Sequence, residues 1–256
     1  MLLAFDLGNS HLFGGVLDDN GIMLRFRFAS QQIGTSDQLG LFFRSVLREN
    51  QLNVEDIQHI AMCSVVPALD YSVTAACIKY FNIDPFVIRP GIKTGMKLGY
   101  KNPLELGADR LTCAVAANEL YPKQNIIVID LGTATTFCTI SLNKEYLGGM
   151  ILPGLKTSMQ ALSSSAAKLS SVEIIRPTTP LGKTTEQSMQ AGIYYGHLGA
   201  MRQLIQELRQ TAFAGAECKV ISTGGFAYLF ENENLFDVIE PDLVLTGLKF
   251  LYYKNM

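Results

Sequence analysis

The sequence predicts an α/β protein of two related halves, each running strand-strand-strand-helix-strand-helix, with a cleft between them. Three observations predict it. The apolar run Ile126–Ile129 ends in Asp130-Leu131-Gly132-Thr133-Ala134, a buried strand entering a tight turn that carries a carboxylate. The same phrase stands near the start, where Leu2–Phe5 leads into Asp6-Leu7-Gly8-Asn9-Ser10. At one constant offset Asp6 aligns with Asp130, Gly8 with Gly132 and Phe13 with Phe137, and a similar order of elements follows each copy. A repeat of a whole supersecondary order is far harder to obtain by chance than a lone short motif.

In the first half, Leu2–Asp6 and His11–Asp18 read as strands, and Asp18-Asp19-Asn20-Gly21 as a turn. Ile22–Ala29 alternates as a third strand, completing an antiparallel meander. Gln38–Glu49 places Leu39, Phe42, Phe43, Val46 and Leu47 on one helical face, with Thr35 or Ser36 as N-cap. Ile57–Val66 reads as a buried strand, Pro67 opens a helix to about Tyr80, and Phe86–Ile88 is a short strand. The Gly- and Lys-rich stretch Pro90–Asn102 reads as a loop, and Leu106–Leu120 as a helix joining the halves.

The pattern restarts at Asn125. Ile126–Asp130, Thr135–Ser141 and Tyr146–Leu152 form a second meander, turned at Leu142-Asn143-Lys144, and helical pattern resumes after Pro153-Gly154. Ser170–Thr185 is irregular, broken by Pro177, Pro180 and Gly182. The long helix 184–210 carries Ala191, Tyr194, Leu198, Met201, Ile205 and Leu208 at alternating spacings of three and four, a near-heptad seam. Lys219–Ser222 is a strand running into Gly224-Gly225, and Leu243–Tyr253 a closing amphipathic helix.

Composition narrows the function. Apolar residues make up 48% of 256, enough for a sizeable core, and no stretch approaches a membrane span. A net charge of −2 without a basic block argues against nucleic acid as partner. No basic n-region precedes the first apolar run, which contains Asp6, so no secretory signal is expected. The five cysteines form no CxxC pair and read as core thiols in a reducing cytoplasm. His11, His59 and His197 lack ligand spacing, and GxxxxGK[ST], GxGxxG and GxSxG are all absent.

Asp6-Leu7-Gly8-Asn9-Ser10 alone could be a plain β-turn. Its second copy favours a phosphate hairpin. Backbone N–H groups from Gly8 to Leu12 and the Ser10 hydroxyl would face nucleotide phosphates, with Asp6 over the metal ion they carry. Gly107-Ala108-Asp109-Arg110 opens a helix, where a carboxylate is favoured for electrostatic reasons alone. The functional alternative makes Asp109 the acceptor of a substrate hydroxyl's proton and Arg110 an anion clamp. Gly148–Gly154 either shapes a strand exit or lets backbone approach a substrate. Thr223-Gly224-Gly225 carries the same ambiguity, with a nucleotide's base or ribose as candidate neighbour.

Paired D-x-G hairpins resemble the acetate and sugar kinase, actin and heat-shock ATPase superfamily. DLGNS at 6–10, GADR at 107–110, DLGTATT at 130–136, GGMILPG at 148–154 and TGG at 223–225, in that order, resemble type III pantothenate kinase. The resemblance implies two ribonuclease H-like domains, 1–118 and 119–256. It also implies ATP-dependent phosphorylation of pantothenate to 4'-phosphopantothenate, the first step towards coenzyme A. By the same resemblance Asp6, Leu7, Gly8, Asn9, Ser10, His11, Leu12 and Phe13 would hold ATP, which Thr133 would also contact. Asp130 would bind a monovalent cation, potassium or ammonium, alongside magnesium carried near Asp6. Asp109 would be the proton acceptor, and Tyr100, Gly107, Ala108, Asp109, Arg110 and Thr185 would line the pantothenate pocket. Family members are dimers, which would give the near-heptad seam a partner. Ser10 stands where the family commonly has Thr, keeping the hydroxyl. Rival expectations are a kinase of another small hydroxylic acid or sugar, a non-catalytic ATP-binding regulator and an actin-like polymer.

Overall fold

The computed structural model describes all 256 residues. In chain order the first half contains β1 (Leu2–Leu7), β2 (His11–Leu17), β3 (Ile22–Ala29), α1 (Ser36–Glu49), β4 (His59–Ser64), α2 (Pro67–Phe81), β5 (Phe86–Val87), β6 (Lys97–Leu98) and α3 (Ala108–Leu120). The second contains β7 (Ile126–Leu131), β8 (Ala134–Ile140), β9 (Glu145–Pro153), α4 (Leu155–Ser165), α5 (Thr185–Phe213), β10 (Lys219–Thr223), β11 (Val238–Ile239) and α6 (Leu243–Asn255). Two sheets result, of order β3-β2-β1-β4-β5 and β11-β10-β7-β8-β9-β6. In each, an antiparallel meander is extended by parallel strands, β4 beside β1 and β10 beside β7.

The chain separates into two compact units. Unit 1 holds Met1–Gly95, Lys101–Glu119 and Leu243–Met256; unit 2 holds Met96–Tyr100 and Leu120–Asp242. In unit 1, α1 and α2 cover one sheet face: Leu3, Phe5 and Leu7 of β1 meet Leu39 and Phe43 of α1 and Val73 and Cys77 of α2. The Phe5 and Phe43 rings stack at 4.6 Å between centroids. Thr35 caps α1 as expected, its hydroxyl accepting the Gln38 N–H at 3.2 Å.

The closing helix α6 departs from the 119–256 division expected from chain order, because it joins unit 1. Its apolar residues pack on β1, β2 and β4, with Leu245 lying where a side chain on Gly15 would stand. Tyr252 Oη is 2.8 Å from His59 Nδ1, and Lys249 Nζ reaches the carbonyl of Asp19 at 3.3 Å. Met96–Tyr100 belongs to unit 2 because β6 pairs in parallel with β9. Two paired residues inside the expected loop 90–102 have too little pattern to announce themselves.

Unit 2 buries Ile127, Ile129, Leu131 and Phe137 against Leu155 and Met159 of α4 and against α5. Here a second expectation is corrected. Tyr194, Leu198, Met201, Ile205 and Leu208 are all buried in this unit's own core, and Ala191 is buried beside them. The near-heptad seam therefore faces its own sheet and is not a surface waiting for another helix. The irregular segment before α5 is held by Glu233, which accepts from Arg176 at 2.9 Å, Arg202 at 3.2 Å and the buried Tyr194 hydroxyl at 2.7 Å.

Candidate functional site

In unit 1 the β1–β2 hairpin presents residues 6–13. Register pairs Asp6 with Phe13 and Leu7 with Leu12, and the turn closes through the Gly8 N–H on the His11 carbonyl at 3.1 Å. That amide is thus occupied within the hairpin. Leu7 and Leu12 are wholly buried, so only their backbone could reach a ligand, whereas Asn9 and His11 are exposed. A buried serine absent from the sequence-based expectations props the tip. The Ser30 hydroxyl donates to the Gly8 carbonyl at 2.6 Å, and its N–H to the Ser10 carbonyl at 3.0 Å. The Arg27 guanidinium lies 4.4 Å above the Phe13 ring, a second anchor beneath the hairpin.

Asp6 has a partner that the sequence did not advertise. Parallel register sets Cys63 of β4 beside it, and the Cys63 thiol donates to Asp6 Oδ1 at 3.3 Å. Burial pushes the Cys63 thiol well above its ordinary value, and the charges of Asp6 and then Asp109 add to the rise. A donor to a carboxylate is the form that this environment favours. Asp6 and Asp109, distant in sequence, lie in the same unit.

Asp109 stands in the first turn of α3, half-buried like Gly107, Ala108 and Arg110. Its Oδ1 accepts the Arg110 N–H at 2.8 Å. A β-carbon on Gly107 would lie 2.5 Å from that oxygen, so the glycine leaves room for the carboxylate. The start of the helix is fixed by the Leu111 N–H on the Gly107 carbonyl at 3.0 Å and the Thr112 hydroxyl on the Ala108 carbonyl at 2.6 Å.

In unit 2 the equivalent hairpin joins β7 to β8, closed by the Gly132 N–H on the Ala134 carbonyl at 3.1 Å. Thr133 is exposed at its tip. Its carbonyl accepts the Gly154 N–H at 3.1 Å and the Thr157 hydroxyl at 2.6 Å, so the first turn of α4 holds the hairpin from behind. A β-carbon on Gly154 would come within 2.4 Å of the Gly132 carbonyl and 2.5 Å of the Thr133 carbonyl. One on Gly149 would sit 1.7 Å from the Phe137 carbonyl. Gly149 and Gly154 are thus explained by backbone packing alone. Tyr100 packs edge-on against Tyr146, with centroids 5.8 Å apart. Thr185 opens α5, capped by Thr184, and lines an open groove of about 1180 Å³ with Ser158, Leu162, Lys183, Met189 and His197. His197 Nε2 lies 3.1 Å from the Pro153 carbonyl, which can only accept, so this nitrogen carries the proton.

Unit 1 thus holds the hairpin 6–13 and the helix start 107–110, and unit 2 holds Asp130, Thr133 and Thr185. Two meander-and-helix units, each presenting an Asp-x-Gly hairpin, define a class of fold. The chain superposes on a Campylobacter jejuni protein classed in the Baf family of transcriptional activators with a TM-score of 0.61, at 21% identity over 99% of this chain and 98% of that one. A Sinorhizobium meliloti protein classed as a 2-dehydro-3-deoxygalactonokinase gives 0.55, at 10% identity and 98% of both chains. The chain shares the fold of both proteins.

Sequence likeness is more particular. The family model for type III pantothenate kinase matches residues 2–207. The type III pantothenate kinase of Legionella pneumophila (strain Paris) is 54% identical over 255 residues, covering 100% of this chain and 99% of the relative. Type III pantothenate kinase 1 of Francisella tularensis subsp. holarctica (strain OSU18) is 49% identical over 255 residues, covering 100% of both. The chain belongs to the type III pantothenate kinase family.

Proposed function

We propose that the chain transfers the terminal phosphoryl group of ATP to the terminal hydroxyl of pantothenate, giving 4'-phosphopantothenate and ADP, the first step towards coenzyme A. Full-length identity with type III pantothenate kinases carries the reading. The Cys63 thiol on Asp6, and the presence of Asp6 and Asp109 in one unit, support it further.

In this reading residues 6–13 hold the ATP phosphates. The Gly8 amide is engaged within the turn, so contact falls to amides beyond it and to the Ser10 hydroxyl. Magnesium takes one or two carboxylates plus phosphate oxygens rather than an all-protein cage. Asp6, half-buried at the end of β1 and bonded to the Cys63 thiol, is the carboxylate that would serve it. When bound, magnesium would neutralise charge on the phosphates. Asp109 accepts the hydroxyl proton as the substrate oxygen bonds to the γ-phosphorus and the bond to the bridging oxygen breaks. Tyr100, Gly107 to Arg110 and Thr185 take pantothenate, with Arg110 the natural partner of its carboxylate. On unit 2, Thr133 contacts ATP and Asp130 provides a hard oxygen ligand for a monovalent cation, potassium or ammonium.

The site of action proposed is the cytoplasm. All five cysteines are free thiols, four of them buried, and no helix is long and apolar enough to cross a membrane. A homodimer completes the reading. Its support is the family resemblance and the open face of α5, where Gly192, Gly196 and Gly199 have nothing within 4 Å of a built β-carbon. ATP turnover against a panel of hydroxylic acids and sugars tests the substrate, and selectivity for any compound other than pantothenate would overturn it.

A further inference from the structure

Tyr100, which the proposed function assigns to the pantothenate pocket, follows a strand of only two residues, too short a ladder to orient a side chain by itself. Strand β6 is held against β9 at both ends. The Lys97 N–H donates to the Lys144 carbonyl at 2.9 Å, and the Gly99 N–H to the Tyr146 carbonyl at 2.8 Å. A β-carbon on Gly99 would stand 3.0 Å from that same Tyr146 carbonyl, so the chain runs close to β9 immediately before Tyr100. The Tyr100 ring then packs edge-on against the Tyr146 ring, with centroids 5.8 Å apart and planes inclined at 62°.

Tyr146 is suited to hold its neighbour. Its side chain is wholly buried, and its hydroxyl donates to Cys138 Sγ at 3.3 Å, so the ring is fixed at its far end as well as along its faces. Register gives its side of the sheet. Asp130 pairs with Thr136, Val128 with Cys138 and Ile140 with Tyr146, and residues two apart on a strand share a face. Tyr146 and Cys138 therefore stand on the same face as Asp130, while Phe137 and the apolar cluster under α4 and α5 occupy the other. The Tyr100 ring is brought to the Asp130 face by a neighbour that is itself closed to any ligand.

We propose that Tyr146 is a positioning residue for pantothenate binding: its buried ring, anchored on Cys138, sets the orientation in which Tyr100 meets the substrate. This rests on the reading of Tyr100 as a pantothenate contact. Loss of the ring at 146 weakens pantothenate binding and leaves phosphoryl transfer from bound substrates intact.

The test is KM for pantothenate in the full-length enzyme with magnesium and potassium present. Tyr146→Leu is expected to raise it about 2- to 10-fold, the scale of one edge-on aromatic pair, with kcat and KM for ATP near wild type. Tyr146→Phe keeps the ring edge and should stay near wild type in all three. Phe213→Leu, a comparable loss from the core on the sheet's other face, is the control for destabilisation and should leave KM for pantothenate unchanged. Because Tyr146 acts through Tyr100, Tyr100→Leu should raise KM at least as far, and adding Tyr146→Leu to it should raise it no further. Wild-type KM in Tyr146→Leu, an equal rise in Phe213→Leu, or an additive double variant overturns the proposal. A Tyr100→Leu enzyme with wild-type KM refutes instead the reading of Tyr100 beneath it. If Tyr146→Leu fails to fold, Tyr146→Met refills the site without a ring, and a wild-type KM there overturns the proposal equally.

Discussion

Replacing Asp109 with Asn separates its structural task from its chemical one. The Asp109 Oδ1 that accepts the Arg110 N–H at 2.8 Å has a direct counterpart in the amide oxygen of Asn, so the start of α3 keeps its hydrogen bond. The space left by Gly107 accommodates either side chain, since the two are isosteric. What the substitution removes is a negative charge in the first helical turn, about 0.3–1 kcal/mol of stability, and the ability to accept a proton. A positioned general base contributes about 10²- to 10⁴-fold, or about 3–5 kcal/mol of transition-state stabilisation. The chemical loss thus exceeds the structural one several-fold. Asp109→Asn should melt close to wild type, bind ATP with unchanged affinity and lose about two to four decades of kcat. Steady-state kinetics beside ATP titration calorimetry read this split. An unchanged kcat would refute the role of Asp109, and parallel loss of ATP affinity and kcat would make it a structural residue.

Two further outcomes follow from burial. Burial pushes the Cys77 thiol up to about 12 and the Cys63 thiol well above 9.0, and thiolate is the reactive form. In the folded enzyme at pH 8, iodoacetamide should modify the part-exposed Cys218 first; equal labelling of Cys63 or Cys77 by mass spectrometry would contradict their burial. Sedimentation velocity at micromolar concentration should show a dimer that Gly196→Leu dissociates, and a wild-type monomer would refute the assignment of the open α5 face.

The repeat was legible because its signal is chemical: an apolar run, a carboxylate and a glycine, twice, at a fixed offset. Helix starts were legible for the same reason, as with Thr35 ahead of α1. Several features have no such local signature. The seam on α5 shows only that one face is apolar, and cannot say whether the helix's own sheet or a second chain covers it; the sheet does. Helix α6 returns to β1 and β4 across the whole chain, a contact without a sequence pattern. Ser30 and Cys63, which brace the hairpin and Asp6, were unremarked because each acts through a single partner distant in sequence. The glycines were visible, but their reasons were not: Gly149, Gly154 and Gly224 are required by backbone or a carboxylate that approaches from another strand. Glu233 ties Arg176 to Arg202 and Tyr194 of α5, giving order to a stretch that its prolines and serines made look loose.

The central claim is that a hydroxyl of pantothenate receives phosphate from ATP at the site served by Asp6 and Asp109. Its most direct test is the rate of ADP formation by the wild-type enzyme with magnesium and potassium, in the presence and absence of pantothenate. The account predicts ADP formation that depends on pantothenate and yields one phosphopantothenate for each ADP. ADP formation that pantothenate leaves unchanged would contradict it.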